Sequence, residues 1–160
     1  YMAEFLLGCE IKSLGCVYTP KTLDIAVENG AFVQFSMKNG VQGTARVAFN
    51  QPRGGPASTL TNLGYEVYGA NGIIRGYATL FQLSGHRGEP AEVRLDLERA
   101  GVTERIRIDK VSNIYQAVIA GHAQSILNDS PLDAADALHN LKLILACYES
   151  ADNEGYTIAF

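Results

Sequence analysis

The 160-residue chain holds no apolar run near the ~20 residues needed to cross a bilayer as a helix. It also lacks a block of like charge, a C-x-x-C pair and a Cys/His cluster. A phosphate-binding G-x-x-x-x-G-K-[ST] loop, H-E-x-x-H and G-x-S-x-G are missing too. Each of those patterns exists because its chemistry needs certain residues at a fixed spacing, so their absence removes the reactions they serve. With a net charge of −4 and scattered Lys and Arg residues, no basic patch invites nucleic acid. No membrane or nucleic-acid partner is therefore expected. The three cysteines, Cys9, Cys16 and Cys147, are odd in number and far apart. Reduced thiols and a cytoplasmic location are the expectation.

What is present suits one globular domain. Apolar residues make up 47% of the chain and charged residues 19%. A domain of this length buries roughly 70% of its unfolded surface. No secretory signal is evident at the start. The stretch from Tyr1 to Gly8 reads as the last turns of a helix stopped by glycine, so the chain is expected to begin inside a larger protein.

Strands come next. Residues 10–19 form a strand ended by Pro20. Residues 31–37 and 41–49 alternate, and Asn39-Gly40 between them invites a two-residue turn. That register would split Val33 and Phe35 from their apolar partners. A three-residue loop, Lys38-Asn39-Gly40, pairs 35 with 43 and 33 with 45 and makes the apolar faces coincide. A one-residue slip turns every core side chain outward, so pattern predicts the longer loop, with Gly40 left-handed.

The Gly/Pro-rich stretch 50–59 is a long loop of the kind that often carries function. Residues 63–68 and 73–83 are strands around Gly69-Ala70-Asn71-Gly72. Residues 91–97 and 102–108 put Val93, Leu95 and Leu97 with Val102, Ile106 and Ile108 inward. Glu98 to Gly101 are expected to join them as a four-residue loop. Two helices follow, over 113–128 and from Asp133 onward. Their stripes are Ile114, Tyr115, Val118, His122 and Ile126, then Leu138, Leu141, Leu145 and Tyr148, and both are expected to cover the sheet. The predicted class is α+β: an open, mainly antiparallel β-sheet with helices packed on one face.

Candidate chemistry is sparse. The glycines at 69, 72 and 76 lack the G-x-G-x-x-G spacing and are followed by a strand, so they predict a chain reversal and not a dinucleotide cradle. His122 is expected to be buried in its stripe, His139 solvated on a helix flank, and His86 in a loop tip. Asp133 and Asp136 suit a helix N-terminus. Arg53, the one cation of the glycine-rich loop, is either a solvated loop residue or an anchor for a hydroxyl or carboxylate.

Four stretches in order carry a family likeness. They are YMAEFLLGCEIKSLGC, AFVQFSMKNGVQGTARVAF, LGYEVYGANGIIRG and PLDAADALHNLKLILACYESADNEGYTI. Together they resemble the C-terminal part of the Gfo/Idh/MocA family of NAD(P)-dependent oxidoreductases, across nearly all 160 residues. The resemblance implies an N-terminal Rossmann domain that this chain does not include, along with the first strand and helix of the second domain. It places the family's catalytic Lys and His upstream of Tyr1, and Tyr1 stands where the family has Asp. No catalytic, cofactor-binding or metal residue is thus expected here. NAD or NADP belongs to the full-length protein. Thr59, Thr61 and Asn62, with Arg53, are the candidate substrate-binding residues, suited to a sugar or polyol, though ordinary loop roles fit the three as well. The resemblance further implies a homo-oligomer through the helix-free sheet face, near Phe32. A stand-alone sheet module mediating association without catalysis is the alternative.

Overall fold

A computed structural model describes residues 1–48, 63–78, 93–109, 114–130 and 134–160. The chain divides into two compact units, Tyr1–Gln51 with Leu132–Phe160, and Pro52–Pro131. The fold is α+β, as the alternation predicts. Among the described residues every strand pairing is antiparallel, and the sheets are open. Among the described residues the strands form two four-stranded sheets, ordered β3-β2-β1-β8 and β4-β5-β6-β7.

The first unit starts with α1 (Met2–Leu7), closed by left-handed Gly8. β1 (Ile11–Tyr18) pairs with β2 (Gly30–Met37), and β2 with β3 (Gln42–Ala48). A bulge at Lys12 shifts the buried positions of β1 to Ile11, Leu14 and Cys16. An extra residue on one strand restores the inward face after a slip. The β2–β3 turn has the predicted three-residue loop: Phe35 faces Gly43, Val33 faces Ala45, and Met37 N donates to Val41 O at 2.8 Å. Gly40 has φ +90, where a β-carbon would be strained. Here the apolar pattern overrides the Asn-Gly dipeptide.

On this sheet lies α3 (Ala135–Asp152), followed by the short edge strand β8 (Ile158–Ala159). The core joins Ile11, Leu14, Phe35 and Met37 of the sheet to Leu143 and Ala146 of α3. This corrects the expected stripe: Leu138, Leu141, Leu145 and Tyr148 are exposed, and the inward side carries Leu143, Ala146 and Ser150. Leucines occur all round this helix, so periodicity alone leaves its rotation undetermined. Ser150 sets the phase. Its side chain is wholly buried, and its Oγ accepts from Cys16 N at 2.8 Å and donates to Tyr156 O at 2.6 Å.

The second unit contains β4 (Leu63–Gly69), β5 (Gly72–Ala78), β6 (Val93–Arg99), β7 (Val102–Ile106) and α2 (Ile114–Leu127). The register puts Leu95 opposite Ile106, on one face as expected, but that face is not the covered one: Val93, Val102 and Ile108 are exposed, and the buried side chain is Asp96 on the other face, where Arg94 pairs with it. The β6–β7 connection is tighter than expected. Arg99 pairs with Val102, leaving only Ala100 and Gly101 between, with φ +50 and +77. Two left-handed residues match the strand twist and need no four-residue loop. The α2 stripe also differs: Tyr115, Val118, His122 and Ile126 are exposed. The helix has no charged residue, so its composition set no polar side to orient it.

Replacing Ser150 by Ala should destabilise the first unit by about 1–3 kcal/mol, since it strands a buried N–H and a carbonyl. Thermal unfolding followed by circular dichroism measures this, and an unchanged midpoint would refute the anchoring role.

Candidate functional site

The four residues proposed to touch substrate, Arg53, Thr59, Thr61 and Asn62, lie outside the described residues, as does His86. Asp133 is outside as well, while Asp136 sits in the first turn of α3. Among the described residues no group of three or more His, Cys, Asp or Glu is placed to hold a metal. No described helix is long and apolar enough to cross a membrane.

The glycine turn is a strand reversal. Gly69 pairs directly with Gly72, so β4 returns as β5 with no helix between. A β-carbon on Gly72 would come within 2.4 Å of Glu98 O, so this glycine serves close approach of the next strand. A dinucleotide needs backbone N–H groups at a helix N-terminus aimed at its pyrophosphate. The residues of this turn do not fit that group.

The face of the first sheet turned away from α3 follows from the register. Val17, Phe32 and Arg46 form one row across β1, β2 and β3; Gly15, Gln34 and Thr44 form the next; Ser13, Ser36 and Gln42 the third. Phe32 is 42% exposed. A shallow groove of about 260 Å³ runs here, reaching Gly155 and Thr157 beside β8. Ser36 Oγ donates to Gln42 Oε1 at 2.9 Å. The face is a mixed, small-residue surface with one aromatic at its centre. Such a mix is compatible with both water and a partner surface.

One face of the second sheet is charged. Register aligns Glu66, Arg75, Asp96 and Arg105 in a row across all four strands, alternating in sign. Arg75 lies 3.3 Å from Glu66 and 2.6 Å from Glu98. Arg94 holds the 4%-exposed Asp96 at 2.5 Å and stands over the Tyr77 ring. The hydrogen bond from Arg94, ahead of the nearby charge of Arg105, holds the Asp96 carboxyl below its usual range. Opposite charges facing across strands stabilise the pairing, which gives these side chains a structural role.

The histidines are placed differently from expectation. His122 is exposed on α2, because that helix buries no stripe. His139 is not simply solvated: its Nε2 lies 2.9 Å from Glu4 Oε1, and the same oxygen accepts from Ile11 N at 2.8 Å. Burial works against the Glu4 charge, but these two hydrogen bonds outweigh it and keep the carboxyl below its usual range. The cysteines are free thiols. Burial, with the neighbouring Cys147, pushes the Cys16 thiol up to about 11. A thiol so placed is a core residue and a poor nucleophile. Sequence reasoning missed Glu4 and Ser150, since a lone Glu or Ser within a helix gives no pattern.

No protein-family model matches the chain, and no curated protein does. Solved structures do match its fold. The aldose-aldose oxidoreductase from Caulobacter crescentus, complexed with glycerol, has a TM-score of 0.74 at 20% identity, over 99% of this chain and 44% of that one. An oxidoreductase from Agrobacterium radiobacter in complex with NAD+, L-tartaric acid and magnesium gives 0.68 at 20% identity, over 99% and 45%. An NAD-binding protein from Listeria innocua gives 0.57 at 16% identity, over 99% and 48%. This chain therefore spans less than half the length of these three proteins, and what it shares with them is the fold.

A carboxylate whose folded pKa is depressed stabilises the fold above its unfolded value, near ~3.9 for Asp. That contribution disappears as pH falls through the lower folded value. The melting temperature of the 160-residue chain should thus fall between about pH 5 and 2, and Asp96→Asn should flatten the decline. Parallel pH profiles for the two proteins would show that the row carries no linkage.

Proposed function

We propose that this chain is the substrate-side and oligomerisation half of an NAD(P)-dependent oxidoreductase of the Gfo/Idh/MocA type, acting on a sugar or polyol. The observation that carries the reading is the coverage. Almost the whole chain superposes on two oxidoreductases and an NAD-binding protein, yet it accounts for less than half of each. The ordered motifs of the sequence point the same way. The alternative, a sheet module that only mediates association, lacks an observation of its own to favour it.

The division of labour follows from the chemistry. Hydride transfer needs a nicotinamide held against the substrate carbon and a base within reach of its hydroxyl. The glycine turn here does not fit a dinucleotide, so the cofactor and the base belong to the other half of the protein. This chain contributes one wall of the substrate pocket, with Arg53, Thr59, Thr61 and Asn62 as hydroxyl-binding groups. The helix-free sheet face around Phe32 contributes the subunit contact. A self-complementary patch closing a two-fold dimer is the commonest route to a soluble oligomer.

Isothermal titration of the 160-residue chain with NAD and NADP should give no saturable binding in the micromolar range, whereas the full-length protein binds one of them and oxidises a sugar or polyol. Micromolar binding by the chain alone would overturn the assignment. Light scattering should find a homodimer burying more than ~1,000 Å². Phe32→Arg should shift it to monomer with the circular dichroism spectrum unchanged. A wild-type monomer at high concentration would remove the sheet face from the interface.

A further inference from the structure

Two of the three cysteines face each other across the joint between β1 and α3. Cys16 follows Ile11 and Leu14 on the inner face of β1 and is 2% exposed. Cys147 comes one turn after Leu143 and one turn before Ser150, so helical spacing puts it on the inner side of α3. There it packs, half-buried, against the core. Ser150 brings the two backbones together. Its Oγ accepts from Cys16 N at 2.8 Å and also lies 3.4 Å from Cys16 O. With Ser150 seated on Cys16, the preceding turn of the helix sets Cys147 against the Cys16 side chain, and the two thiols hydrogen-bond to each other. A disulfide needs α-carbons within about 7 Å and side chains directed at each other. The small side chains of Ala146 and Ser150 permit that approach of helix to strand. Cys9 stands apart. It precedes β1, roughly 20 Å from Cys16 along an extended strand, and its Sγ donates to Glu10 O at 3.7 Å.

We propose that Cys16 and Cys147 are an oxidisable pair that closes into a disulfide when a peroxide is present, stapling α3 to β1. This inference is independent of the oxidoreductase reading. Exposure decides the order of events, because Cys147 is the thiol of the pair that solvent reaches. Burial raises the Cys147 thiol, and the hydrogen bond from Cys16 offsets part of that rise. The Cys147 thiolate attacks one peroxide oxygen. The O–O bond breaks, a sulfenic acid forms on Cys147, and the other oxygen leaves as water after taking up a proton. Cys16 then attacks the Cys147 sulfur. The S–O bond breaks, and the hydroxyl leaves as water with the Cys16 proton. In sum the two thiols lose two electrons and two protons, and one peroxide becomes two waters. Burial holds both thiols protonated at neutral pH, so closure is slow, and the pair is a latent crosslink in place of a fast sensor. The bond joins elements that Ser150 already holds together. It also closes a long loop, the arrangement that most restrains the unfolded chain.

The test treats the 160-residue chain with hydrogen peroxide for several hours, alkylates the remaining thiols with iodoacetamide under denaturing conditions, and maps the peptides by mass spectrometry. The expected product is a Cys16–Cys147 linked peptide with Cys9 alkylated. The melting temperature should rise by about 5 °C or more on closure, and dithiothreitol should return it to the untreated value. Cys147→Ser should abolish both the linked peptide and the shift, whereas Cys9→Ser should leave both intact. Cys147→Ala serves where the serine variant fails to fold, with the same loss expected. Four results would each overturn the proposal: three alkylated thiols after the treatment, a linkage through Cys9, a sulfinic acid on Cys147 without a crosslink, or a crosslinked chain that melts no higher than the reduced one.

Discussion

The first unit depends on how closely α3 approaches β1, and that approach is set by the side chain of Ser150. One hydroxyl accepts from the backbone of β1 at Cys16 and donates to the backbone of the returning chain at Tyr156. Its own carbonyl accepts from Gly155 N at 2.8 Å, which turns the chain toward β8. Hydrogen bonds so short from a two-atom side chain demand that helix and strand nearly touch, and only small residues permit it. Ala146, one turn earlier, is small for the same reason. Once this contact is made, the rotation of α3 is settled, and with it which leucines are inside.

From that rotation comes the division of the first unit into three surfaces. The inner sheet face and inner helix stripe are one dry core. The outer sheet face, by the period of two, must carry the intervening residues, and these are Val17, Phe32, Gln34 and Thr44. The outer helix stripe is left with leucines that the unit itself has no means of burying.

The second unit is organised by charge and by turns. Glu66, Arg75, Asp96 and Arg105 alternate across four strands, so each strand finds an opposite charge in its neighbour. The tight turns at Ala70-Asn71 and Ala100-Gly101 fix the same register from the ends. These features explain the glycines and the ion pairs without a ligand.

Local rules acting on neighbouring residues were legible in the sequence by itself. Alternation marked β2, β3, β6 and β7; the matching of apolar faces chose the three-residue turn over the Asn-Gly rule; and glycine spacing showed a strand reversal where a phosphate cradle was the rival. Arg53 was singled out as the one cation of its loop, and Thr59, Thr61 and Asn62 through the family likeness; all four lie outside the described residues. Tertiary structure alone decided the rest. The phase of α3 could not be read, because Leu138, Leu141, Leu143 and Leu145 offer two stripes of equal spacing and the choice lies with a serine bound 134 residues away. The pairing of His139 with Glu4 spans 135 residues, and the Glu66-to-Arg105 row needs four strands in register before it exists. Periodicity reports which residues share a face, whereas which face meets which depends on contacts between distant parts of the chain.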